Sequence, residues 1–195
     1  MNSNFYAMLA RMKYINRWGL MRNTRNETLS EHCLDTAFIA HALVVIHNRK
    51  FGGNLNPEHA ACLAMYHDAS EIITGDMPTP VKYFNPEIRQ AYKQAEKAAC
   101  DRLVGYLPDY MKEDIAPLIM QEDDEYLPFI KAADKLSALA KCIEEKGMGN
   151  KEFADAEKST ESAVKALNLP AADEFLKVFM KSYGMTLDRQ SDDKA

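Results

Sequence analysis

The stretch AACLAMYHDASEIITGD, residues 60–76, decides how the rest of the chain is read. Its first six residues, Ala60 to Met65, carry no charge, and a helix that is apolar on every side is normally buried among other elements. Directly after it come His67, Asp68 and Glu71, groups that are costly at the end of a buried helix unless something pairs with them. A metal ion is one such partner. On a continuous helix Glu71 lies four residues after His67 and three after Asp68, so all three reach one small volume.

Working outward, the helical pattern extends in both directions. Phe5, Met8, Leu9 and Met12 recur at i, i+3, i+4 and i+7, which marks a first amphipathic helix. The segment from Tyr14 to Leu29 has no clean period and reads as a loop. Thr28 and Glu31 have capping-box spacing ahead of the apolar run AFIAHALVVI, so a second helix starts there and ends near Gly52 and Gly53. Asn56-Pro57 supplies an N-cap and a proline at the first helical position for the third helix, which is expected to run to Gly75. DMPTPVKYFNP holds three prolines and reads as an ordered, non-helical loop. Pro86 opens a long helix to about Leu107, Pro108 a shorter one, and Pro128 another that stops at Gly147. Two more are expected near 151–167 and 171–183. With no alternating strand pattern and no internal repeat, the chain reads as one all-α domain over residues 1–185. Residues 186–195, ending in DRQSDDKA, read as a flexible tail.

The bulk numbers bound the function. A chain of 195 residues, 47% hydrophobic and 27% charged, suits a single globular domain with a sizeable core. A net charge of −5 with no basic stripe argues against a nucleic-acid footprint. The start, MNSNFYAMLARMK, lacks a signal-peptide pattern. AFIAHALVVI is short of the ~20 residues that span a bilayer and is interrupted by His41, so no membrane partner is expected. Cys33, Cys62, Cys100 and Cys142 are scattered, without a CxxC pair. That excludes a cysteine-based zinc module and fits free thiols in a reducing cytoplasm.

Two further residues could complete a metal sphere with His67 and Asp68. His32, in SEHCLDTAF, falls in the first turn of the second helix, and Asp134, in IKAADKLSAL, falls inside a later one. Two imidazole nitrogens and two carboxylates make a donor set suited to a divalent transition metal. Spacing alone leaves open a core histidine hydrogen-bonded to its neighbour. His41, His47 and His59 are out of reach by helical geometry, so one metal per subunit is expected. Arg17, Arg22 and Arg25 lie in the 14–29 loop. Arg22 and Arg25 read as surface charges, whereas Arg17 precedes Trp18, the only tryptophan. Arg17 offers a planar fork that matches a phosphate. Trp18 is either a core anchor or a wall against a bound sugar or base. Asp76 is either a turn residue or an acceptor for a sugar hydroxyl, and Lys82 reads as a solvated lysine.

His32, the adjacent pair His67-Asp68, and Asp134 resemble the H…HD…D pattern of the HD-domain phosphohydrolases, an all-helical superfamily. Together with INRWGLMRN, the SEH around His32, NRKFGGN and AMYHDASEIITGDMPTPVKYFN, they resemble the bacterial 5′-deoxynucleotidases over residues 5–90 and again around Asp134. The resemblance implies a single HD-domain helical bundle that removes phosphate from 2′-deoxyribonucleoside 5′-monophosphates. It implies homodimers and a divalent metal, with cobalt the most effective and manganese or zinc as further candidates. By position it implies His32, His67, Asp68 and Asp134 as metal ligands. Glu71 is the implied acid or base, Arg17 orients phosphate, and Asp68 helps align water. Arg17, Trp18, His32, Asp68, Asp76, Met77, Pro78 and Thr79 are the implied substrate contacts. The alternatives are another HD-type nucleotide phosphohydrolase or phosphodiesterase, a non-catalytic nucleotide sensor, and a plain helical interaction protein.

Overall fold

A computed structural model describes residues 2–191. In chain order the helices are α1 (Phe5–Leu9), α2 (Leu29–Phe51), α3 (Pro57–Tyr66), α4 (Glu71–Thr74), α5 (Thr79–Lys82), α6 (Pro86–Gly105), α7 (Asp109–Met120), α8 (Leu127–Gly147), α9 (Ala154–Lys165), α10 (Pro170–Val178) and α11 (Leu187–Ser191). Tighter helical turns follow α1 and α10 and precede α9. Among the described residues there is no β-strand, only an isolated antiparallel bridge between Asn16 and Thr28.

The caps fall where the sequence puts them. Thr28 accepts from the Glu31 backbone N–H while Glu31 accepts from that of Thr28, a complete capping box contributing about 1 kcal/mol. Gly52 closes α2 in the left-handed region at φ 74°, where a side chain would be strained. α2 is the axis of the main core. Its buried face, including Ala37, Ala40, Leu43 and Val44, packs with Leu63 and Ala64 of α3, with Phe129, Ala133 and Leu136 of α8, and with Phe175 of α10. A second cluster joins Phe5, Ala69, Leu103, Leu107 and Ile119. By length and composition α2 could cross a membrane, but half of that apolar window is buried in the protein, as in a core helix.

Three expectations need correction. The third helix does not run to Gly75. It stops at Tyr66, residues 67–70 form a turn, and α4 follows. The N–H groups of His67, Ala69, Glu71 and Ile72 all bond three residues back, which tightens the chain to about three residues per turn. Buried Ala69 anchors this turn in the second cluster, so the segment leaves the main core between His67 and Asp68 on one side and Glu71 on the other. The proline-rich loop contains a one-turn helix, α5, because Pro80 sits in its first turn, where a missing N–H costs nothing. Within the expected tail, Leu187–Ser191 are helical, and residues 192–195 lie outside the described residues.

The 14–29 loop is not irregular in its bonding. Arg17 N–H bonds Glu27 O at 2.9 Å and Leu29 N–H bonds Ile15 O at 2.8 Å, so its two ends run antiparallel. Its middle is held by Glu145 of α8, a fully buried carboxylate that accepts from the backbone N–H of Thr24 and Arg25, from Asn150 Nδ2 and from Lys141 Nζ. Burial opposes ionisation of Glu145, but these donors hold it well below the usual carboxylate range. Glu145→Ala leaves Lys141 buried without its counter-charge and two backbone donors unpaired. We expect it to destabilise the fold by about 3–5 kcal/mol in urea unfolding; a loss under about 1 kcal/mol would contradict this account of the loop.

Candidate active site

Four of the candidate ligands come together from three elements. His32 lies in the first turn of α2, His67 and Asp68 in the turn after α3, and Asp134 about two turns into α8. Asp68 Oδ2 is the hub, 3.2 Å from His67 Nε2 and 3.6 Å from His32 Nε2, while Asp134 Oδ1 is 3.2 Å from His32 Nε2. Donor atoms of His32, His67 and Asp68 all lie within 4.8 Å of one another.

The tautomers suit a cation. His67 Nδ1 is 2.7 Å from the Ala64 carbonyl, which only accepts, so that nitrogen carries a proton, and in the neutral imidazole the Nε2 lone pair is free for a cation. His32 Nδ1 is 3.0 Å from the Ser137 hydroxyl. Both Nε2 atoms are buried, and neither makes a well-aligned hydrogen bond, although a carboxylate oxygen lies 3.2 Å from each. Two such imidazole nitrogens facing two carboxylates, each imidazole steadied through its other nitrogen, fit a divalent metal. Without one, the charges settle on the residues themselves. Burial opposes charge on His67, but Asp68 raises its imidazole well above the ordinary value. Burial likewise opposes ionisation of Asp68, but His67, His32 and Arg17 hold it far below the carboxylate range.

Arg17 reaches the same hub, with Nη1 3.5 Å from Asp68 Oδ2 and its side chain mostly buried. Glu71 is buried, and its Oε2 has no partner. Burial, together with the negative charges of Asp68 and Asp76, pushes the Glu71 carboxyl up to about 9. Asp76 feels Arg17, Asp68 and His32, and burial raises its carboxyl as well. Met77, Pro78 and Thr79 follow it in sequence and make no side-chain hydrogen bond to the cluster among the described residues. Lys82 is not simply solvated: it pairs with Glu96 at 2.8 Å and lies over the Tyr92 ring. Arg22 and Arg25 are exposed and pair with Glu152 and Glu31. His59 pairs with Asp123 at 3.1 Å and His47 stacks near Phe129, both outside the cluster.

Sequence reasoning missed two members. Ser137 orients His32 from α8, and it lies three residues after Asp134, a spacing that places both on one helical face. Glu27 accepts from Trp18 Nε1 at 2.7 Å and from Arg17 Nε at 3.3 Å. Only its place before the Thr28 cap hinted at it. Trp18 sits in the left-handed region at φ 61°, with its ring 5.3 Å from that of Phe153.

A helical bundle whose His32, His67-Asp68 and Asp134 converge in this way defines the HD-domain phosphohydrolase class. Comparison with known proteins narrows it: residues 4–183 match the family described as 5′-deoxynucleotidase YfbR-like, and the chain belongs to that family. It is similar to the 5′-deoxynucleotidase YfbR of Escherichia coli, with 50% identity covering 98% of this chain and 97% of that protein. Among solved structures, its fold is similar to an HD-domain phosphohydrolase from Listeria innocua (TM-score 0.79, 19% identity, 92% of this chain and 88% of that one). It is also similar in fold to the HD phosphohydrolase DatZ of cyanophage S-2L, solved with dA and one catalytic Zn2+ ion (TM-score 0.65, 18% identity, 92% and 96%).

Proposed function

We propose that this chain hydrolyses 2′-deoxyribonucleoside 5′-monophosphates to the deoxynucleoside and phosphate, using one divalent metal held by His32, His67, Asp68 and Asp134. The activity of the E. coli relative supports this reading. The single structural observation that carries it is the pair of buried Nε2 atoms facing Asp68 and Asp134 beside Arg17.

A phosphate monoester is doubly charged near neutral pH, so cationic groups must meet it first. The metal, when bound, supplies a Lewis acid for a phosphoryl oxygen and an activated water. Burial opposes charge on Arg17, but Asp68, Asp134, Glu27 and Asp76 keep its guanidinium protonated, ready to hold a phosphate. Asp68 aligns the attacking water. Glu71 holds its proton at neutral pH and donates it from the carboxyl to the departing 5′-oxygen, a poor leaving group as an alkoxide. Trp18 walls the sugar, Asp76 accepts from its hydroxyl, and Met77 to Thr79 line the nucleoside. Cobalt is the best activating metal in this reading, with manganese and zinc as substitutes. The catalytic domain runs through residue 185, and the four free thiols fit a cytoplasmic enzyme.

The test is phosphate release from matched deoxy and ribo 5′-monophosphates, a 3′-monophosphate and a cyclic dinucleotide. The reading expects turnover of the deoxy 5′-monophosphates alone; preferred cleavage of the cyclic dinucleotide would replace it with a phosphodiesterase.

The functional unit is a homodimer in the same reading, and support comes from α2. Its outer face carries Leu34, Phe38, His41 and Val45 at i, i+4, i+7 and i+11, and Phe38 is 66% and Leu34 51% exposed. A solvent face should be polar, so this stripe calls for a cover. It is self-complementary: with two copies of α2 antiparallel about an axis between Ile39 and Ala40, Leu34 faces Val45, Phe38 faces His41, and Glu31 falls opposite Asn48, one residue from Arg49. Leu34→Cys/Val45→Cys is therefore expected to form a covalent dimer on mild oxidation, while Leu34→Cys alone is not. A monomer by light scattering, or a monomer that binds lipid vesicles, would overturn it.

A further inference from the structure

Arg17 stands between two carboxylates. Its Nε meets Glu27 Oε2 at 3.3 Å, and its Nη1 meets Asp68 Oδ2 at 3.5 Å. That Asp68 oxygen is the one on which the Nε2 atoms of His32 and His67 converge. A guanidinium drawn fully onto it would occupy the atom a metal needs. Glu27, which meets the guanidinium at a different nitrogen, is 5% exposed and uses a single oxygen for both the Arg17 and the Trp18 donors.

We propose that Glu27 is a positioning residue. It draws Arg17 away from Asp68, leaving that carboxylate to the metal and the guanidinium to the substrate phosphate, and the same oxygen fixes the Trp18 indole. The inference rests on the metal-hydrolase reading above, but it concerns how this chain arranges its own charges.

The anchoring of Glu27 fits such a role. Its carbonyl accepts the Arg17 N–H at 2.9 Å, and the next residue, Thr28, is the N-cap of α2 and bridges to Asn16. The carboxylate is thus tied to the helix that carries His32. Trp18 is held at φ 61°, a conformation that strains a residue with a side chain and persists only when its surroundings fix it. Its Nε1–H donates to Glu27 at 2.7 Å and its ring packs near Phe153. A carboxylate with a merely structural role would need neither the charge on Arg17 nor the proximity of Asp68.

The experiment compares wild type, Glu27→Gln, Glu27→Ala, and Glu27→Ala combined with Arg17→Ala. The readouts are calorimetric titration of the metal-free proteins with Mn2+ and the emission of Trp18, the chain's sole tryptophan. Gln keeps an acceptor for the indole but removes the charge that holds Arg17. It should weaken Mn2+ binding about 10-fold, the scale for loss of an outer partner of a metal ligand, with near-native emission. Ala should weaken binding as much or more and also shift the emission. Removing Arg17 as well should restore Mn2+ affinity to within about threefold of wild type, because nothing then competes for Asp68. Wild-type affinity in Glu27→Gln, or no recovery in the double variant, would overturn the proposal. Wild-type protein that binds Mn2+ but releases no phosphate would sink the enzymatic reading instead, and leave the Glu27 result to be judged by the titrations.

Discussion

Asp68→Asn is expected to lose metal binding by at least a hundredfold and to reduce phosphate release to background. The size follows from position. One oxygen, Oδ2, lies within 3.6 Å of the His67, His32 and Arg17 nitrogens, so neutralising it removes a proposed ligand and the charge that balances its neighbours. Losing even an outer partner of a metal ligand costs 10–100-fold, and Asp68 is more central than that. Asn keeps the shape of the side chain, which limits damage to the tight 67–70 turn. Binding of one equivalent of metal at wild-type affinity would show that the cluster is an ion-pair network of the core and not a metal centre.

Glu71→Gln should separate chemistry from binding. Metal binding stays near wild type, while turnover falls about a thousandfold, within the usual range for a lost general acid. The fold should gain stability, with a definite pH signature in the metal-free protein. Burial raises the folded-state pKa of Glu71 above its unfolded value, so its favourable contribution is complete below about 4.5 and is lost as pH rises toward about 9. Wild type and Glu71→Gln should therefore unfold alike near pH 4. At pH 7 the variant should be more stable, by up to about 3 kcal/mol. Such a cost is characteristic of an active-site group retained for its chemistry. A variant that is inactive and also less stable at pH 7 would mean that Glu71 holds the turn together and has no claim to the proton.

Most of the fold was legible because its signals are local. The Thr28/Glu31 box, Asn56-Pro57 and Gly52 act within a few residues, and each sits where the spacing puts it. The break after Tyr66 was not legible. A helical period through His67 to Gly75 is compatible with one continuous helix, and what interrupts it is Ala69 reaching into a second core built from α1, α6 and α7. That is a long-range packing choice with no mark in the local pattern.

The same division runs through the site. His32, His67, Asp68 and Asp134 could be picked out as chemically unusual residues among apolar neighbours; the structure gathers the two imidazoles on Asp68 and sets Asp134 against His32. Glu27 and Glu145 look in sequence like ordinary surface acids. Their roles depend on partners ten and more than a hundred residues away, Arg17 for the first and Thr24 for the second. Arg17 earned its place only by adjacency to Trp18, and its contact with Asp68 is again a product of tertiary folding.

The measurement that bears most directly on the central claim is phosphate release from 2′-deoxyadenosine 5′-monophosphate by chelator-stripped protein, before and after one equivalent of cobalt per chain. The account predicts no release before addition and full turnover after it, with the ribonucleotide left intact. Equal release with and without metal would contradict it.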